Sequence, residues 1–257
     1  MTLVITNGTL IDARGRDPFV GGRLVIEGGR IAALGQGDRV TIPHGATVID
    51  AMGGSILPGL IDCHVHFLLE YPDILRGLFT PPSLSLLQAI PRLRVTLEAG
   101  VTTVRDAAGA PAGLNMAVER GVIAGPRMQV AVSVISQTGG HGDAFFPCCI
   151  DPGGPFGRFF DLPEGVADGV EEVRKTTREI LRAEADWIEL ATTGGVLSPP
   201  DTPTASQLTV EEIATAVEEA APSRSAVWLT RRAHRAFLMP CWKEWLPLST
   251  GGTSPTS

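Results

Sequence analysis

Cysteine is scarce in this sequence, with four among 257 residues, and Cys148 and Cys149 are neighbours. Four are too few for a disulfide scaffold in a chain this long. Reduced, buried thiols in a cytoplasmic protein are the expectation. Long apolar runs are missing as well. No stretch approaches the ~18 residues that cross a bilayer, so no membrane association is expected. The start, M-T-L-V-I-T-N-G, lacks a basic segment followed by an apolar core, and no secretory signal is expected. Basic charge is in deficit: 21 Lys and Arg face 28 Asp and Glu, a net charge of −7. That argues against nucleic acid or an anionic membrane as partner. What is present, 44% hydrophobic and 19% charged residues, suits a globular chain with a sizeable core. The length allows one large domain or two modest ones.

Residues 1–56 read as short strands with tight turns. Strands are expected at 3–6 and 9–11 around Asn7-Gly8, and at 23–27 and 30–34 around Gly28-Gly29. Both dipeptides suit two-residue hairpins. Residues 47–51 make another strand. Together these form part of a small β-sandwich rather than a complete domain. From residue 57 the pattern becomes strand, loop, helix, repeated. Strands are expected at 101–106, 127–135 and 186–192. Helices are expected at 86–99, 114–120, 170–185 and 209–221. Pro91 suggests a break or a later start in the first of these. Thr209 and Glu212 form a capping box on the last. Residues 136–167 are a long Gly- and Pro-rich loop, a length that is usually functional. Alternating strands and helices imply an α/β fold with a parallel sheet.

The stretch that organises the chain is 57–67, L-P-G-L-I-D-C-H-V-H-F. Alternation along a strand puts Asp62, His64 and His66 on one side. Two imidazoles so placed can grip one divalent metal, and Asp62 can orient one of them. A bare H-x-H is equally compatible with two incidental histidines on a half-buried strand.

Framed by P-G-L-I-D, this stretch resembles the first barrel strand of the amidohydrolase superfamily of metal-dependent hydrolases. The resemblance implies a (β/α)8 TIM-type barrel with its chemistry at the C-terminal strand ends, where His64, His66, Asp106 and Glu189 should lie. It also implies a β-sandwich built from segments before and after the barrel, and a divalent metal, zinc above all, one or two per site. The implied reaction is hydrolysis of C–N bonds in small amides or dipeptides by metal-activated water. Only four clear β/α units are legible here, so the barrel is expected to be incomplete. The aspartate that strand eight would contribute has no counterpart. Two further strings, T-G-G-H-G-D at 138–143 and T-G-G-V-L-S-P at 193–199, look like the imidazolonepropionase-related branch, which includes Xaa-Pro dipeptidases. That makes His141 and Asp143 the substrate-contact candidates. Taken alone, the first string is equally a glycine turn carrying solvated polar residues.

The fourth strand departs from the resemblance. Relatives carry a lysine in A-D-W-I-K-L, carboxylated so as to bridge two metals, whereas this chain has Glu189. A carboxylate can ligate, but it is shorter, so the third metal-ligand candidate stands beside the reading that the site is lost. His44 sits in a turn, and His234 is flanked by arginines, a poor setting for a cation.

Residues 222–257 form a second departure, with five basic residues to one acidic and three of the four tryptophans. The low-complexity end suggests disorder. Shifted by one reading frame, the codons permit A-H-A-Q and I-E-H-G, which resemble the family's fifth and sixth strands with histidine ligands falling at Thr230 and Thr250. A truncated chain, frameshifted after about residue 221, is therefore expected. Two functions follow: a metal-dependent amidohydrolase impaired in this chain, or a non-catalytic remnant or binding module of the same fold. Uncovered strand edges predict poor solubility. The sequence leaves a homo-oligomer open.

Overall fold

The computed structural model describes residues 1–69, 76, 79–143, 161–195, 202–223 and 225–230. Within these, the chain divides into two compact units, Met1–Leu60 and Ile61–Ser257. Among the described residues no helix is long and apolar enough to cross a membrane.

The first unit is one five-stranded sheet. β1 (Thr2–Leu10) pairs antiparallel with β2 (Phe19–Glu27), and β2 pairs with β3 (Arg30–Gln36). On its other side β1 runs parallel to β4 (Thr47–Asp50) and then to the short β5 (Ser55–Ile56). Val4, Val25 and Val40 form a small core. The hairpin expected at Gly28-Gly29 is present, with both residues at positive φ. The one expected at Asn7-Gly8 is not. β1 runs straight through it, and Asn7, at φ 55°, makes an irregularity in the register between Ile5 and Gly8. Its amide donates to Asp50 Oδ1 at 3.0 Å. A Cβ on Gly8 would sit 2.6 Å from the Ile56 side chain, so glycine here lets β5 approach. An αL residue therefore serves a bulge, not a turn.

The second unit alternates strands and helices. β6 (Leu60–Val65), β7 (Val101–Asp106) and β8 (Arg127–Val130) form one three-stranded sheet in that order. β9 (Val134–Ile135), β10 (Trp187–Ala191) and β11 (Ala226–Thr230) form a second, all parallel, with β10 central. α1 (Pro82–Glu98), α2 (Ala112–Glu119), α3 (Gly169–Arg182) and α4 (Val210–Ala220) follow the strands. Every residue of β10 is buried, as expected of a strand covered on both faces. The core runs from Phe67 and Leu93 through Val130, Ile135 and Ile180 to Ile188, Leu190 and Ala216.

Three expectations need correction. Pro91 lies inside α1 without ending it. Its ring is exposed, while Ala89 and Leu93 on either side are fully buried; their packing outweighs the lost backbone bond. The third strand is split. Val132 has φ 65° and the Ser133 N–H donates to the Ala131 carbonyl at 2.7 Å, a tight γ-turn that hands the chain from one sheet to the other. Finally, the stretch read as an aberrant tail contributes β11, because A-V-W-L-T is apolar enough to extend the edge of β10. The remainder of that tail, with His234, Trp242 and Trp245, lies outside the described residues, as do Cys148, Cys149 and residues 196–199. The capping box is as read: Thr209 Oγ1 accepts the Glu212 N–H, and Glu212 accepts the Thr209 N–H.

Candidate functional site

His64 is on β6 and His66 follows its last residue, so both side chains leave on the same side. Their ring centroids are 5.1 Å apart, with the planes at 80°. Two imidazoles bound to one ion at ~2.0–2.1 Å in tetrahedral arrangement have centroids about 5 Å apart. The pair is thus spaced for one shared divalent ion. His64 is exposed and His66 half-buried. Burial holds the His66 imidazole below its usual pKa, outweighing its hydrogen bond to the Ala108 carbonyl; His64 and His141 push in the same direction as burial. His66 is neutral at pH 7, the form that can ligate a metal. Its Nδ1 lies 3.2 Å from that carbonyl. A carbonyl only accepts, so Nδ1 carries the hydrogen and Nε2 carries the lone pair.

Asp62 accepts the main-chain N–H of His64 at 3.1 Å; its contact is with the backbone, where an imidazole partner was expected. Asp106, at the end of β7 and fully buried, does more. Its Oδ2 accepts the Phe67 N–H at 2.9 Å, and its Oδ1 accepts the N–H groups of Ala108 at 3.2 Å and Ala110 at 3.3 Å. Burial pushes its carboxyl up to about 7 against the pull of these three amides. The role had a sequence signal: an aspartate followed by A-A-G-A, the composition of a tight turn bonded back to a carboxylate.

Glu189 lies mid-strand on β10, opposite Val134 and Trp228, and is 1% exposed. Burial drives its carboxyl up to about 9, with Arg105 pulling the other way. At pH 7 it keeps its proton. Among the described residues no three His, Cys, Asp or Glu side chains converge into a group able to hold a metal. The expected trio of His64, His66 and Glu189 is therefore not assembled into one centre. The two imidazoles fit a metal; a complete donor set is not found in the described part of the chain. Arg105 itself donates to the Cys63 carbonyl at 3.0 Å. Its guanidinium lies over Trp187 at 4.6 Å and over Trp228 at 3.8 Å, tying β7 to β10 and β11 by cation–π contact.

The two glycine loops meet. The His141 N–H donates to Gln207 Oε1 at 3.0 Å. The His141 ring packs so tightly on Gly195 that a Cβ there would stand 1.9 Å from Nδ1. Asp143 folds its own loop: Oδ2 accepts the Gly139 N–H at 2.8 Å, and its N–H donates to the Gly140 carbonyl at 3.1 Å. Gly195 and Gln207 were not singled out by sequence reasoning. The need for Gly195 arises from a neighbour 54 positions away, which no local pattern records.

Comparison with known proteins places this assembly. The Amidohydrolase family is matched over residues 55–227, and the chain belongs to that family; its members are hydrolases of C–N bonds that use a divalent metal. Ochratoxinase of Aspergillus niger is 36% identical over 176 residues, 65% of this chain and 37% of its own. A prolidase solved with N-methylphosphonate-L-proline is 34% identical with TM-score 0.80, covering 92% of this chain and 57% of that one. A Xaa-Pro dipeptidase with methionine bound in its active site is 29% identical with TM-score 0.79, over 92% and 58%. These likenesses assign a TIM-barrel-type fold. The chain spans less than three fifths of each of these relatives.

Proposed function

We propose that this chain carries part of a zinc-dependent, cytoplasmic amidohydrolase of the Xaa-Pro dipeptidase-like branch, acting on small amides: Xaa-Pro dipeptides or N-acyl amino acids. Its architecture is an incomplete (β/α)8 barrel that starts at residue 57 and includes β11, preceded by part of a β-sandwich over 1–56. The observation that carries the function is the pair of imidazoles 5.1 Å apart at the end of β6, inside the matched region. When bound, the metal activates water and polarises the scissile carbonyl. The chain's own contribution is to hold two imidazoles in fixed directions, that of His66 neutral, with His141 nearby as the substrate contact. Asp143 shapes the loop that presents it. Glu189, buried and protonated at pH 7, does not complete a donor set with the two imidazoles.

A second reading, a non-catalytic remnant or binding module, is favoured by one observation: no three-donor group exists among the described residues. Metal analysis together with hydrolysis of Xaa-Pro and N-acyl amino acid substrates separates the two. The expected result is weak zinc uptake with little turnover, lost on chelation. Turnover at about 1 s⁻¹ or above, ordinary for an enzyme, contradicts the impairment. Zinc uptake with no metal-dependent hydrolysis of any amide favours the remnant.

A further inference from the structure

The geometry points to Asp106 as the residue that positions the His66 imidazole and fixes which of its nitrogens carries the lone pair. The carboxylate grips the backbone on both sides of the contact. One oxygen holds the Phe67 N–H, the peptide immediately after His66, at 2.9 Å. The other holds the Ala108 N–H at 3.2 Å, and Ala108 is the residue whose carbonyl meets His66 Nδ1 at 3.2 Å. The Ala110 N–H at 3.3 Å closes the turn that aims this carbonyl. The Ala107 N–H donates to the Val65 carbonyl at 2.9 Å, so both segments are tied at one further point. One buried side chain thus sets the distance between the ring and the acceptor that selects its tautomer. Asp62, four residues before His66, does not span these two loops: it bonds the His64 amide on its own strand.

Local alternatives fail on chemistry. Asparagine in place of Asp106 offers one oxygen and one NH2, so it must confront an N–H donor at Phe67 or at Ala108 and Ala110 with another donor. The loop pair must then part at one of its two attachments. Alanine would leave all three amides without this acceptor.

The test reads imidazole nitrogens by NMR in the metal-free full chain, with His66 assigned through H66N. Unmutated chain is expected to show His66 as the Nδ1–H tautomer, with slowly exchanging Phe67 and Ala108 amides. D106N is expected to lose the tautomer preference and to exchange one of those amides at least tenfold faster. V173A, which damages the core at a fully buried site on α3, serves as a destabilised control and is expected to keep the tautomer. A folded D106N with His66 still locked as Nδ1–H overturns the inference. Should D106N not fold, the unmutated chain still decides: an averaged His66 tautomer, or fast Phe67 and Ala108 amides, overturns it as well. The inference bears on the proposed metal reading but is measured without metal. Failure to take up zinc with the tautomer intact sinks that reading and leaves this one standing.

Discussion

At the scale of single residues, two buried carboxylates dominate the site's electrostatics. Glu189 is held up to about 9, above its unfolded value of 4.5. The folded state therefore keeps a proton that the unfolded chain gives up. That contribution is fully present below pH 4.5 and is lost as pH rises towards 9. E189Q, which mimics the protonated acid, should match the unmutated chain in urea unfolding at pH 5 and exceed it at pH 8. Equal stability of the two at both pH values would show that Glu189 is ionised in place. Gly195→Ala forces a methyl to within 1.9 Å of His141 Nδ1. The expected outcome is displaced His141 ring resonances with the His64 and His66 signals still resolved; unshifted His141 resonances would count against the packing. Residue identity alone announced His64, His66, His141 and Glu189 as chemistry-bearing. It could not announce that burial neutralises Glu189, because the depth of a strand position depends on which helices cover it.

Secondary-structure elements were legible where the period of the sequence and the packing agree. α3 and α4, with polar outer faces and buried Val173, Ile180 and Ala216, are such cases. So is the Thr209 cap, whose removal in T209A should cost about 1 kcal/mol, read as a lowered urea midpoint with helical content fraying at residue 210. A midpoint unchanged by T209A would mean that the reciprocal Glu212 bond is not closed in solution. The elements that misled did so for tertiary reasons. Asn7-Gly8 has the composition of a turn, yet β4 and β5 lie beside it and draw it into the strand. Pro91 has the chemistry of a helix breaker, yet the core holds its flanking turns. A-V-W-L-T was discounted with its low-complexity neighbours, although β10 offered an edge in register, Trp187 opposite Ala226 through Ala191 opposite Thr230. The His64 and His66 pair needed only period two to be placed together; the carbonyl that orients His66 comes from 42 positions away and was invisible.

Among its described residues the second unit exposes large apolar side chains. Ile61 is 67% exposed on β6, and Leu87 and Val95 are above 60% on α1. Among the described residues β6 pairs on one side only, with β7, and β11 on one side only, with β10. Strand edges and apolar patches of this kind associate. Sedimentation velocity should show species larger than a monomer whose share grows over a tenfold rise in concentration. A single monomeric boundary across that range would argue that these surfaces are covered. The proposed site is one ion between two rings, and cobalt(II) or zinc titration of the unmutated chain beside H64N and H66N tests it most directly. One ion per chain, bound at least tenfold more weakly in each variant, is the predicted result; uptake that neither substitution changes, or no uptake by the unmutated chain, contradicts it.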